Sequence, residues 1–139
     1  MAQHVRDIMT SAPVAVAPRT SVSDVAHRMR DEDIGAVLVT EGDELRGLVT
    51  DRDLIVRVVA EDKNPSDTTV QSACSPDLVT VSPDDEVGRA VQLMREHALR
   101  RLPVVEGRKP VGIVALGDLA VERDPGSALG DISAAAPNK

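Results

Sequence analysis

The chain contains no phenylalanine, tyrosine or tryptophan. Without aromatic faces it can build neither the stacking platforms on which single-stranded nucleic acids rest nor an aromatic cage for a quaternary ammonium. Any bound base must therefore lie against aliphatic side chains, histidine or an arginine plane. A single cysteine, Cys74, excludes an internal disulfide and supplies too few thiolates for a structural zinc site. No stretch approaches the roughly 18–20 consecutive apolar residues needed to span a bilayer. The opening Met-Ala-Gln-His-Val-Arg-Asp lacks the charged-then-apolar pattern of a secretory signal, so a cytoplasmic protein is expected. Basic residues are in the minority, 16 against 23 acidic, and a net charge of −7 argues against a nucleic-acid binder, which needs clustered Lys and Arg. At 139 residues, 42% of them hydrophobic, the chain suits one compact domain.

What the chain does have is a copy of itself. Residues 5–56 slide without a gap onto 70–121, an offset of 65, matching Val14 with Val79, Val16 with Val81, Pro18 with Pro83, Val22 with Val87 and Met29 with Met94. The same offset superposes Gly42 on Gly107, Gly47 on Gly112, Val49 on Val114, Asp53 on Asp118 and Leu54 on Leu119. A unit of some fifty residues buries little apolar surface, so the two copies are expected to share one core and to meet at a seam, where ligands favour binding.

Both halves show the same order of elements. Pro13–Ala17 and Leu78–Val81 read as short strands, each stopped by a proline. Val22, Val25, Ala26 and Met29 follow at helical spacing, repeated by Val87, Ala90, Val91 and Met94, with Thr20 or Ser21 capping the first helix and Asp84 or Asp85 the second. Strand pairs come next: Ala36–Thr40 with Leu45–Thr50, and Leu102–Val105 with Val111–Ala115, each turning at a glycine. A closing helix begins near Asp51 in one half and near Gly117 in the other. The repeats are assigned to 5–59 and 70–123, joined by a polar linker at 60–69 and followed by a loose tail at 124–139.

A β-α-β-β-α unit present twice resembles the cystathionine-β-synthase (CBS) domain, which occurs in tandem. The marks of the resemblance are Gly47-Leu48-Val49-Thr50-Asp51-Arg52-Asp53 and Gly112-Ile113-Val114-Ala115-Leu116-Gly117-Asp118, together with Arg100-Arg101-Leu102-Pro103-Val104-Val105 and the opening Val5-Arg6-Asp7-Ile8-Met9-Thr10. The fold class expected is mixed α/β, with two CBS repeats packed in pseudo-two-fold symmetry.

A threonine and an aspartate three apart, where a strand enters a helix, set a hydroxyl and a carboxylate beside free helical N–H groups. Such a carboxylate accepts from ribose hydroxyls, and the hydroxyl and helix start favour a phosphate. The same pair also caps a helix, and capping is compatible with binding. The resemblance implies that Asp53 and Asp118 hold ribose. It further implies that Thr50 and Asp53 face Cys74–Thr80, including Ser75 and Thr80, that Asp118 faces Thr10–Ala15, including Thr10 and Ala15, and that Arg100 and Arg101 contact phosphate. Arg100-Arg101 equally reads as a surface pair facing Glu96. Neither half has a full set: the first has Thr50 but Gly35-Ala36 where the second has arginines, and the second has Ala115 in place of the threonine. The complete Gly-to-Asp motif makes the Thr50–Asp53 half the favoured site.

No catalytic triad, phosphate loop or metal-ligand cluster emerges, and His27, with Asp24 and Asp31 at helical spacing, reads as a solvated helix face. The expected protein is a stand-alone regulator, not an enzyme, that binds an adenine nucleotide such as AMP, ADP or ATP without an obligatory cofactor and passes that state to a protein partner. The alternatives are a ligand-free structural or stress-related interaction protein, a binder of S-adenosylmethionine, and a metal- or nucleic-acid-associated regulator. Leu54, Ile55, Val58 and Val59, with Val22 and Val25, form more apolar surface than one small sheet needs, and the resemblance implies a homodimer through its helices.

Overall fold

The computed structural model describes residues 4–75 and 78–123, with positions 128, 130, 132 and 135 beyond them. In chain order the elements are a 3₁₀ turn (Val5–Asp7), β1 (Thr10–Ser11), β2 (Ala15–Val16), α1 (Val22–Glu32), β3 (Ala36–Glu41), β4 (Glu44–Thr50) and α2 (Asp51–Leu54). A π-helical turn (Ile55–Val59), α3 (Val70–Ala73), α4 (Val87–His97), β5 (Arg101–Glu106), β6 (Lys109–Ala115) and α5 (Leu116–Arg123) complete it. Most of the tail expected at 124–139 lies outside the described residues.

The chain forms two compact units, and their limits are not those of the sequence repeats. One is Val14–Leu78; the other joins Met1–Pro13 to Val79–Lys139. In the first, β2 runs parallel to β3, which pairs antiparallel with β4 in the order β2-β3-β4. In the second, β6 lies between β1 and β5, both antiparallel to it, and Val81 makes a single parallel bridge to Val104 where the other unit has β2. Each hairpin turns at a glycine in the left-handed region, Gly42 at φ 64° and Gly107 at φ 66°, and each carries a register shift, after Val39 and after Val104.

Most of the buried apolar side chains fall into two clusters, one in each unit. Val22, Val25, Met29, Val37, Val39, Val49 and Val58 are joined by Val70 and Ala73, from beyond the linker. Val87, Ala90, Leu93, Met94, Leu102, Val104 and Val114 are joined by Val5, from the start of the chain. Val5 and Val70 sit at the repeat offset, and both are fully buried. Each half therefore closes its core with the opening segment of the other repeat. Backbone bonds hold these segments: Val5 N donates to Asp85 O at 2.9 Å and Arg6 N to Pro83 O at 3.1 Å, while Val70 N donates to Thr20 O at 2.8 Å and Val22 N to Thr68 O at 2.9 Å. An ion pair between Arg6 and Asp84 adds to the first set.

Local details depart from the pattern in three places. Ser21 caps α1, accepting from Asp24 N at 3.1 Å, but α4 follows Glu86, which gives no side-chain cap. Asp85 instead accepts from Ser82 N at 2.9 Å and closes the turn before the helix. Ala26 is exposed, since at this spacing it lies at the edge of the buried stripe. Val22 and Val25, read as interface residues, are buried in their own unit because α1 must cover β3 and β4.

Both long helices end in a left-handed residue that is not glycine, Asp33 at φ 54° and Ala98 at φ 53°. The left-handed conformation costs an alanine about 1–2 kcal/mol, and glycine escapes this while losing roughly 0.5–1 kcal/mol more entropy on folding. Ala98→Gly is thus expected to stabilise the protein by about 0.5–1 kcal/mol, measured as a rise in the urea midpoint at unchanged slope.

Candidate functional site

The strand-to-helix junctions are the places where the repeat motif puts polar groups. At the β4–α2 junction the carbonyl of Gly35 accepts from Asp51 N at 2.9 Å, so the chain leaving β4 is anchored to the start of β3. Thr50 and Asp53 then close a reciprocal box: Thr50 Oγ1 accepts from Asp53 N at 3.2 Å, and Asp53 Oδ2 accepts from Thr50 N at 2.9 Å. This satisfies two backbone donors at the helix start. The second carboxylate oxygen, Oδ1, lies 3.6 Å from Nε of Arg57. Cys74 packs in the same unit, within reach of the fields of Asp53 and Arg57, with its sulfur against Gly47. Burial, aided by the Asp53 charge, pushes its thiol up to about 11, so at neutral pH it is an unreactive small apolar group.

The β6–α5 junction repeats the geometry with parts missing. Leu116 N donates to Arg100 O at 2.8 Å, the counterpart of the Gly35 anchor, and Arg101 is the direct cross-strand partner of Ala115. Asp118 Oδ2 accepts from Ala115 N at 2.8 Å, but Ala115 has no hydroxyl to return a bond. Among the described residues no cation forms an ion pair with Asp118, and position 122, which corresponds to Arg57, is glutamate. Burial pushes the Asp118 carboxyl above its ordinary range, opposed by the hydrogen bond from Ala115.

The unit of this second junction also contains Thr10, Thr80, Arg100 and Arg101. Thr10 pairs with Ile113 on β6, Thr80 is exposed just before the Val81 bridge, and Arg100 is exposed while Arg101 is half-buried. Ala15, Thr50, Asp53 and the half-buried Ser75 belong to the other unit, where Ala15 is the partner of Leu38 on β3. The arginines are thus in the same unit as Asp118, not with Thr50. Of the stretch Cys74–Thr80 expected against Asp53, positions 76 and 77 lie outside the described residues.

Two features went unread in the sequence. Arg57 stands four residues after Asp53, a spacing that pairs opposite charges on a helix. Met9 and Cys74 are related by the repeat offset, and each packs its sulfur on a motif glycine, Met9 on Gly112 and Cys74 on Gly47. The approach at Gly112 is the tighter. A Cβ at Gly112 would sit 2.6 Å from Met9 Sδ and 2.9 Å from the backbone oxygen of Thr10, whereas one at Gly47 would meet only Cys74 side-chain atoms, at 3.1 and 3.4 Å. Since the backbone of paired β1 cannot yield as a side chain can, Gly112→Ala should cost about 1–3 kcal/mol and Gly47→Ala less than about 1 kcal/mol, read from urea unfolding of the two variants side by side.

No helix among the described residues is long and apolar enough to cross a membrane, and no group of three or more His, Cys, Asp or Glu among them could hold a metal ion. The chain is 40% identical over 133 residues to the CBS domain-containing protein YhcV of Bacillus subtilis, covering 93% of this chain and 94% of that one. Its fold matches the crystal structure of the CBS-domain containing protein of Agrobacterium tumefaciens, with a TM-score of 0.78 at 28% identity, covering 88% of this chain and 95% of the other. It likewise matches Hypoxic Response Protein I, solved with two coordinated zinc ions, with a TM-score of 0.77 at 30% identity over 86% of this chain and 98% of that one. The CBS domain family model matches twice, at residues 5–60 and 70–123. With both repeat segments matched and both strand-to-helix junctions built on the same plan, the chain belongs to the CBS domain family as a tandem pair.

Proposed function

We propose that this CBS pair has a regulatory rather than a catalytic role, and that it binds an adenine nucleotide at the β6–α5 junction. Asp118 would hold the ribose and Arg100 and Arg101 the phosphate, with Thr10 and Thr80 from the same unit beside them. The observation that carries the reading is the state of Asp118. A half-buried carboxylate held by a single backbone amide, with no cation paired to it among the described residues, is costly to keep charged. Ribose hydroxyls are the donors it lacks. Thr50 and Asp53, by contrast, already satisfy one another, so the complete motif of the first repeat is the weaker candidate. Ala15 and Ser75 belong with that half.

Calorimetric titration with AMP, ATP and S-adenosylmethionine tests the reading. AMP and ATP should bind, and bind more tightly than S-adenosylmethionine, because guanidinium groups favour phosphate over a cationic sulfonium. No binding of any of the three would return the protein to the class of ligand-free interaction modules.

Self-association is the second part of the proposal. Leu54 and Val58 are buried in their own unit, but Ile55, Val56 and Val59 on the π-helical turn are 58%, 42% and 56% exposed. Three neighbouring aliphatic side chains left in water on one turn favour contact with a second copy of the chain. Sedimentation at tens of micromolar should give a dimer; a clean monomer would remove this part of the reading.

A further inference from the structure

Asp53 and Asp118 occupy equivalent positions, yet one carboxylate has a cation and the other, among the described residues, does not. With Oδ2 of Asp53 bound to the Thr50 amide, the remaining oxygen is met by Arg57, 3.6 Å away. The carboxylate side chain is only 14% exposed, while that of Arg57 is 42% exposed. The separation suits an ion pair and is too long for a good hydrogen bond, so the contact can open without breaking a strong one. A ligand hydroxyl seeking Asp53 must compete with this guanidinium. At Asp118 no such competitor exists among the described residues, and the sequence places Glu122 where Arg57 would be.

We infer that Arg57 is a latch on the β4–α2 junction, holding Asp53 against ligand hydroxyls so that the β6–α5 junction is occupied first. The inference rests on the adenine-nucleotide reading above. It makes Arg57 a positioning residue that sets the order and relative affinity of the two junctions without touching ligand. A partly exposed ion pair is worth about a two- to fivefold change in affinity.

The test uses the full chain carrying Asp118→Asn, so that the first junction is read by itself. Adding Arg57→Gln should tighten AMP binding about two- to fivefold, whereas adding Arg57→Lys, which keeps the charge, should not. Arg57→Met, which preserves the aliphatic stem, replaces Arg57→Gln if that variant does not fold. Unchanged or weaker AMP binding in both neutral variants overturns the latch and leaves the nucleotide reading intact, provided the wild-type chain binds AMP. A wild-type chain that binds no AMP overturns both.

Discussion

A chain ending after Lys63 is expected not to fold, although it contains the whole first repeat. The cut removes Val70 and Ala73, which are 0% and 1% exposed in the core of that half. It also removes the partners of four backbone bonds at and just before the start of α1: Val22 N and Ser23 N lose the acceptors Thr68 O and Pro65 O, and Thr20 O and Pro18 O lose the donors Val70 N and Gln71 N. Losing one buried valine is worth about 1.5–3 kcal/mol, and leaving its neighbours facing a void adds a comparable cost. Four bonds at roughly 1 kcal/mol each bring the loss to about 7 kcal/mol or more, within the range of the stability of a whole domain. Val5 remains in such a fragment with no second half to receive it. Circular dichroism and a urea titration decide the matter: the fragment should lack a cooperative transition, the segment 14–78 should show more structure than it, and the full chain should melt in one step. A cooperative melt of the fragment ending at Lys63 would mean that the exchanged segments are dispensable.

That exchange also marks where the sequence stops being informative. The hairpins were legible because each pairs aliphatic strands across a turn with a left-handed glycine, and the buried stripes of α1 and α4 because Val22, Val25 and Met29, with their counterparts, keep helical spacing. Which core Val5 and Val70 would enter is another kind of information. Each lies in a three- or four-residue segment, too short for any periodicity, and its destination depends on the path of the chain between halves. The helix ends were hidden for a local reason, since Asp33 and Ala98 adopt the left-handed conformation that usually announces itself with glycine. At the candidate site, the Thr50–Asp53 box could be read from residue types and spacing alone. The contrast between the two junctions was only half legible: Ala115 showed that one box was incomplete and the repeat put the arginines in the same half as Asp118, but that Asp118 is half-buried and bound by the Ala115 amide follows from the structure alone.

Asp118→Asn is expected to raise stability at neutral pH and abolish most ligand affinity, while Asp53→Ala lowers stability and leaves the affinity of the β6–α5 junction largely intact. The carbonyl oxygen of the introduced amide can still accept from Ala115 N, so the substitution removes a desolvated charge without opening the turn. Because burial raises the carboxyl of Asp118 above its ordinary range, the folded state holds its proton more tightly than the unfolded chain does. Its contribution to stability is therefore fully present below the ordinary aspartate value of about 3.9 and is lost as pH rises through the folded value. The advantage of Asp118→Asn over wild type should accordingly be absent in acid and open on the way to neutrality, a trend that thermal melts at a series of pH values would reveal. Affinity moves the opposite way. The neutral amide replaces charge-assisted hydrogen bonds to ribose, worth about 1.5–3 kcal/mol or roughly a tenfold to hundredfold loss in binding of AMP. Asp53→Ala removes the half of the capping box in which the carboxylate accepts from Thr50 N, together with the pair with Arg57, while Thr50 Oγ1 still accepts from the backbone N of position 53, for a stability cost of about 1 kcal/mol. A carboxylate kept for structure alone would behave otherwise: Asp118→Asn would then melt no higher than wild type at pH 7 and bind AMP as well, and the β6–α5 junction would lose its claim to the ligand.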